Sequence, residues 1–361
     1  MKKHSLVMLL LVCLVLLGGC RPDTSAKGIV KTELELIKDL DEETILSFIS
    51  YEDMMHTQSA SSDIGSETTN AVQLFFQNFD YKIRSCNITG NKAVVDVDIT
   101  NVDAKALARD MCRAVISESV TGESEQDLTD MSSYFSLLGN LLTEHTYDLV
   151  TTSARFELMN SEDGWSIQAS EELEDQLVGG FISYLHDQNL ISPEEVVSLT
   201  MDALKSQTPQ EWVSYLEMDD IFATYNTLGN EIDLALAQQI SDHLSYEILE
   251  VRIQENTAEV DVAITSVDLE QVLSDYHSQL LTYASTTEAV RATQAELSDK
   301  TSQLLLDCLR HNEQEATKTV TLHLVNNGYN WEIQLDDSFT DALLGNLTEA
   351  METFQASVEQ S

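Results

Sequence analysis

The chain predicts an α+β fold in two tandem copies, each a set of helices packed on a bent antiparallel sheet. Three observations carry that expectation. One stretch of sequence recurs about half a chain later, valines alternate with acids inside it, and helix-capping signatures precede segments of helical period.

The repeat comes first. Residues 81–103 read YKIRSCNITGNKAVVDVDITNVD, and residues 246–268 read YEILEVRIQENTAEVDVAITSVD, aligned without gaps. Tyr81/Tyr246, Ile88/Ile253, Asn91/Asn256, Val97/Val262 and Asp103/Asp268 are among the identities. A second block pairs Trp165-Ser166-Ile167-Gln168 with Trp331-Glu332-Ile333-Gln334, then Leu173, Leu177 and Gly179 with Phe339, Leu343 and Gly345. Colinear blocks at a near-constant offset mark two copies of one domain, expected over residues 29–185 and 192–355. His186 to Ile191 forms the linker.

Each copy opens with helices. Ser192-Pro193-Glu194-Glu195 and Thr208-Pro209-Gln210-Glu211 place a capping oxygen, a proline at the first helical position and a glutamate three residues on. Repeat one matches with Val30, Leu34 and Ile37, then Asp41 as a cap before Ile45 and Phe48. Ser59 to Asn70 lacks an apolar period and reads as a loop, followed by a third helix over 71–79, or 232–244 in repeat two. Period two then takes over in Val95, Val97 and Ile99, and in Val260, Val262 and Ile264, so one sheet face is core and the other water. In the preceding strand the phase slips after Ile83 and again after Ile248, which predicts a shared β-bulge. Asn91-Lys92 and Asn256-Thr257 fall in the hairpin turns, and Asp103 and Asp268 stand as caps before inserted helices. One of these is expected to run from Glu288 to Arg310. The last hairpins turn at Asp163-Gly164 and Asn327-Gly328, and a short helix closes each copy.

This arrangement resembles the NTF2-like, cystatin-like α+β fold. It is closest to bacterial lipoproteins of Gram-positive type that carry tandem NTF2-like domains of unknown function. The carrying stretch is an aromatic-x-Ile strand, a short turn, then Ala-x-Val-x-Val-x-Ile-Thr-x-x-Asp, as at Tyr81 to Asp103 and Tyr246 to Asp268. The motif is structural and implies no activity.

Residues 1–20 read as a lipoprotein signal peptide. Lys2 and Lys3 precede an apolar run from Leu6 to Leu17, too short to span a bilayer, which takes roughly 20 residues. Leu17-Gly18-Gly19-Cys20 has the lipobox pattern. Small residues admit the scissile bond to the peptidase, and the Cys20 thiol takes the lipid. Residues 21–28 are expected as a tether. The protein is thus expected outside the cytoplasm, held at the cell membrane through Cys20, with a plain secretory signal as the competing reading.

The formal charge is −43, from 19 basic and 62 acidic residues. Such a surface repels nucleic-acid phosphates, and any partner is expected to be a basic protein or peptide. Cys86, Cys112 and Cys308 remain in the mature chain; Cys86 and Cys112 are read as buried thiols or as one bridge.

Candidate site residues are few. Trp165, Trp331, Tyr81 and Tyr246 are candidates for ligand contact, with core packing the competing reading. Asp96, Asp98 and Asp103 invite a metal reading against that of a solvated face and a cap, and no metal or cofactor is expected. His145 and His311 are read as helix-end residues. The readable inward positions, Val95, Val97, Ile99, Phe156, Leu158 and Ile167, hold no ionisable group. GxGxxG, P-loop, GxSxG and HExxH patterns are absent from the sequence. The expectation is a non-enzymatic binding or interaction module. A pocket for a small apolar or wall-derived ligand is the alternative, and an NTF2-like enzyme a third.

Overall fold

The computed structural model describes residues 23–40, 64–121, 131–216, 218, 228–328 and 330–360. The leader, Cys20, the Asp41 cap and the helix expected after it lie outside these. The chain divides into two compact units that change over at Leu190/Ile191, with residues 116–121 grouped with the second.

Unit one begins with α1 (Ala26–Lys38), capped by Ser25, whose Oγ accepts from the Gly28 amide at 3.1 Å. Ala26 and Gly28, expected as the end of a tether, are instead buried in the first turn of this helix. The apolar period that begins at Ile29 draws the preceding turn in with it. α2 spans Ile64–Phe76, so residues 64–70, expected as loop, are helical. Thr68 and Thr69 are buried there, a tertiary preference that Ser/Thr composition hides.

The sheet is an antiparallel meander of four strands, β1 (Asp80–Thr89), β2 (Lys92–Val102), β3 (Leu149–Ser161) and β4 (Gly164–Ile167), in that order. Between β2 and β3 stand α3 (Ala104–Thr121) and α4 (Met131–Glu144). After β4 come α5 (Glu171–Leu177) and α6 (Phe181–Leu185).

Unit two repeats the plan. α7 (Pro193–Lys205), α8 (Pro209–Tyr215) and α9 (Gly229–His243) lead into β5 (Ser245–Gln254), β6 (Thr257–Val267), β7 (Glu315–Asn326) and β8 (Trp331–Gln334). Both expected N-caps form, and Thr208 with Glu211 closes a full capping box. The insertion is α10 (Leu269–Ala284), α11 (Thr287–Arg291) and α12 (Gln294–His311), and the unit ends with α13 (Asp337–Leu343) and α14 (Leu347–Glu359). The single helix expected from Glu288 to Arg310 is therefore broken. Thr293 and Glu296 form a capping box that starts α12 afresh, and Val290 of α11 is 83% exposed.

The register slips between Ile83 and Ser85 and between Ile248 and Glu250, the same bulge in both copies. The hairpin turns fall at Gly90–Asn91 and Glu255–Asn256; Lys92 and Thr257 already belong to the strands. Likewise Glu162–Asp163 makes the β3–β4 turn and Gly164 opens β4. Val95, Val97, Ile99, Phe156 and Leu158 are at most 2% exposed, as are Val260, Val262, Ile264, Leu322 and Leu324. Helices cover that face and leave the other to solvent, as period two requires.

Candidate functional site

Tyr81 and Tyr246 act as clips between strand and first helix. The Tyr81 hydroxyl donates to Glu35 Oε1 at 2.5 Å, and the Tyr246 hydroxyl donates to Asp202 Oδ1 at 2.9 Å. Burial and the adjacent carboxylate both push each phenol above its ordinary pKa. Trp331 is core, 4% exposed, whereas Trp165 is half-buried at the edge of the core. Within unit one, Tyr81 and Trp165 stand at opposite ends of the sheet. Tyr81 pairs with Ile99, which faces Thr152 near the start of β3, while Trp165 pairs with Asn160 at the other end of that strand.

The aspartates are structural. Asp96 accepts from Ser85 Oγ at 2.7 Å and Arg155 Nε at 3.1 Å, which lower its pKa, and Asp98 pairs with Arg84. In unit two the matching Asp261 takes two bonds from Arg252, at 2.7 and 2.9 Å, and one from Thr321. The cation thus comes from β3 in one copy and from β5 in the other. Asp103 and Asp268 cap α3 and α10 as expected. Among the described residues no group of three or more His, Cys, Asp or Glu side chains is placed to hold a metal.

His311 Nδ1 lies 2.7 Å from the Asp307 carbonyl in the last turn of α12, while His145 packs edge-on against Tyr147. Cys86 and Cys112 are free thiols, not a bridge, and Cys308 is free as well. Burial pushes Cys112 and Cys308 up to about 11, far from the range of a reactive thiolate.

Two features lie outside the sequence reading. Lys318 shares the strand parity of Val320, Leu322 and Leu324, and its Nζ meets Asp341 Oδ2 of α13 at 2.7 Å. Burial alone would raise the Asp341 carboxyl, but Lys318 and the Thr348 amide hold it low. The parity of β7 was legible; the partner was not. Second, an open cleft of about 730 Å³ in unit two is lined by Leu228, Tyr283, Arg291, Asp299 and Lys300. Lys300 Nζ sits 5.9 Å over the Tyr283 ring, and α11, which buries none of its residues, forms one wall. The break between α11 and α12, at Ala292, borders this cleft.

No protein-family model matches the chain, and no curated protein matches it. One solved structure, described as a "putative lipoprotein (ycdA)" from Bacillus subtilis, matches over 73% of this chain and 96% of its own, at 11% identity and a TM-score of 0.28.

Proposed function

We propose that this chain is a lipoprotein anchored outside the cytoplasm through Cys20, whose two NTF2-like units serve as a non-enzymatic binding module. The carrying observation is Leu17-Gly18-Gly19-Cys20 at the end of a basic, apolar leader. No helix among the described residues is long and apolar enough to cross a membrane, which is compatible with attachment by lipid. Two further features support binding over chemistry. The inner sheet faces are filled by Val97, Phe156, Val262 and Leu322, and the strongly held carboxylates are tied to Arg, Lys or backbone partners. The partner is a basic protein or peptide, drawn to a chain of charge −43.

Membrane fractionation of the wild type and of Cys20→Ala, with mass spectrometry of the mature N-terminus, tests the anchor. Wild type recovered without lipid in the soluble fraction would overturn it. Cross-linking on intact cells tests the partner, and an acidic protein as the main cross-linked species would count against this reading.

A second reading, a small-molecule binder, is favoured by the cleft between Tyr283 and Lys300. Native mass spectrometry showing a stoichiometric retained molecule would promote it.

A further inference from the structure

The anchor proposed at Cys20 sets a short leash. Ala26, the first residue of α1, is six residues from Cys20, so their Cα atoms lie at most about 20 Å apart. Unit one is thereby held at the lipid surface, and the direction of α1 decides which end faces it.

Lys38, the last residue of α1, pairs with Asp80 at 2.7 Å, and Glu35 receives Tyr81. The C-terminal end of α1 is thus fixed at the start of β1. The same helix also packs on β4. β4 pairs with the last residues of β3, and these lie beside Lys92 and Ala93, next to the β1–β2 turn. A helix fixed at Asp80 reaches β4 by crossing the sheet, so its N-terminus points towards the two turns, Gly90–Asn91 and Glu162–Asp163. The turns are adjacent, since the Asn160 amide donates to the Asn91 carbonyl at 2.8 Å.

We infer that this hairpin end of unit one, with the start of α1, lies against the lipid leaflet that holds Cys20. The inference rests on the anchor reading above. Its surface chemistry fits. Ile88 is 57% exposed beside the turn, and Trp165 is half-buried there while its counterpart Trp331 is in the core. An indole with one apolar and one wet side suits the headgroup level. Exposed Lys27, Lys31 and Lys92 offset Asp23, Glu162 and Asp163 around the helix start and turns. In so acidic a chain, a nearly neutral end is the one an anionic leaflet repels least.

Lysine footprinting of the full lipidated protein tests this without any substitution. The protein is reconstituted on phosphatidylcholine vesicles containing phosphatidylglycerol, treated with a membrane-impermeant amine reagent, and compared with detergent-solubilised protein. Lys27 and Lys92 should be modified several-fold more slowly on vesicles. Lys38 and Lys105, at the opposite end of the sheet, should be unchanged. Lys92 decides, because it is remote from Cys20 in sequence and cannot be shielded by the tether. Protein that stays in the supernatant and lacks lipid on Cys20 would refute the anchor. Protein that pellets with lipid attached but modifies Lys92 as fast as in detergent would refute the orientation alone, as would protection of Lys38 and Lys105 instead.

Discussion

The Tyr81 hydroxyl reaches Glu35 across 46 residues of sequence, and Tyr246 makes the same contact with Asp202 across 44. In both copies the first strand holds the first helix by a phenol-to-carboxylate bond. The two copies thus share a tertiary contact whose acceptor is a glutamate in one and an aspartate in the other. Tyr81→Phe and Tyr246→Phe should each destabilise their own unit by about 1 kcal/mol, the usual worth of a partly exposed hydrogen bond. Urea denaturation followed by fluorescence reads this. A shift confined to the other unit, or none in either, would show that the clip is idle.

Gly345 ends α13 with φ +68°, and a Cβ there would lie 2.2 Å from the Val267 carbonyl oxygen. Gly179 has the same φ at the matching place after α5, but its Cβ would meet only the Ala104 methyl, at 3.3 Å. Gly179→Ala should cost about 1–2 kcal/mol from the left-handed backbone alone. Gly345→Ala must also displace main chain, and should cost clearly more. Equal losses in thermal unfolding would contradict the contact at Val267.

Asn101 is 3% exposed, and among the described residues neither its Oδ1 nor its Nδ2 has a hydrogen-bond partner. Its counterpart Ser266 donates to the Leu343 carbonyl at 2.7 Å. An unsatisfied buried amide costs about 1–3 kcal/mol, more than the small void left by shortening the side chain. Asn101→Ser should therefore raise the Tm of unit one. A lowered Tm would mean that the amide is satisfied in solution.

Asp261 is held down to about 2 by Arg252 first and Thr321 second. A carboxyl whose folded pKa lies below its unfolded value of about 3.9 contributes stability that is whole above pH 4. That contribution is lost as pH falls towards 2. Acid titration of wild type and Asp261→Asn should give stability curves that converge between pH 4 and 2. Curves that stay parallel through that window would remove the Arg252–Asp261 pair as a source of acid sensitivity.

Local sequence determined a large share of this protein. The alternation of Val95, Val97 and Ile99 dictates which sheet face is core, because side chains on a strand point alternately to opposite sides. The slip after Ile83 marks the bulge for the same reason. Thr208, Asp103 and Asp268 announce helix starts because their oxygens satisfy orphan amides within three residues. All of these are short-range effects, and the duplication let each be read twice.

Tertiary structure decided the rest, through contacts between residues far apart in the chain. Residues 64–70 are helical although their composition is that of a loop. The break in the helix expected over 288–310 is by contrast local, set by the Thr293–Glu296 capping box, and it borders the cleft beside Tyr283. Lys318 could be assigned to the inner face by parity, yet its partner Asp341 lies beyond a whole hairpin. Tyr81 and Trp165 were equal candidates in sequence. The register of β3 placed one at each end of the sheet, fixing the tyrosine to a helix and leaving the tryptophan at the rim. Periodicity tells which way a side chain points; only the packed chain determines what it meets there.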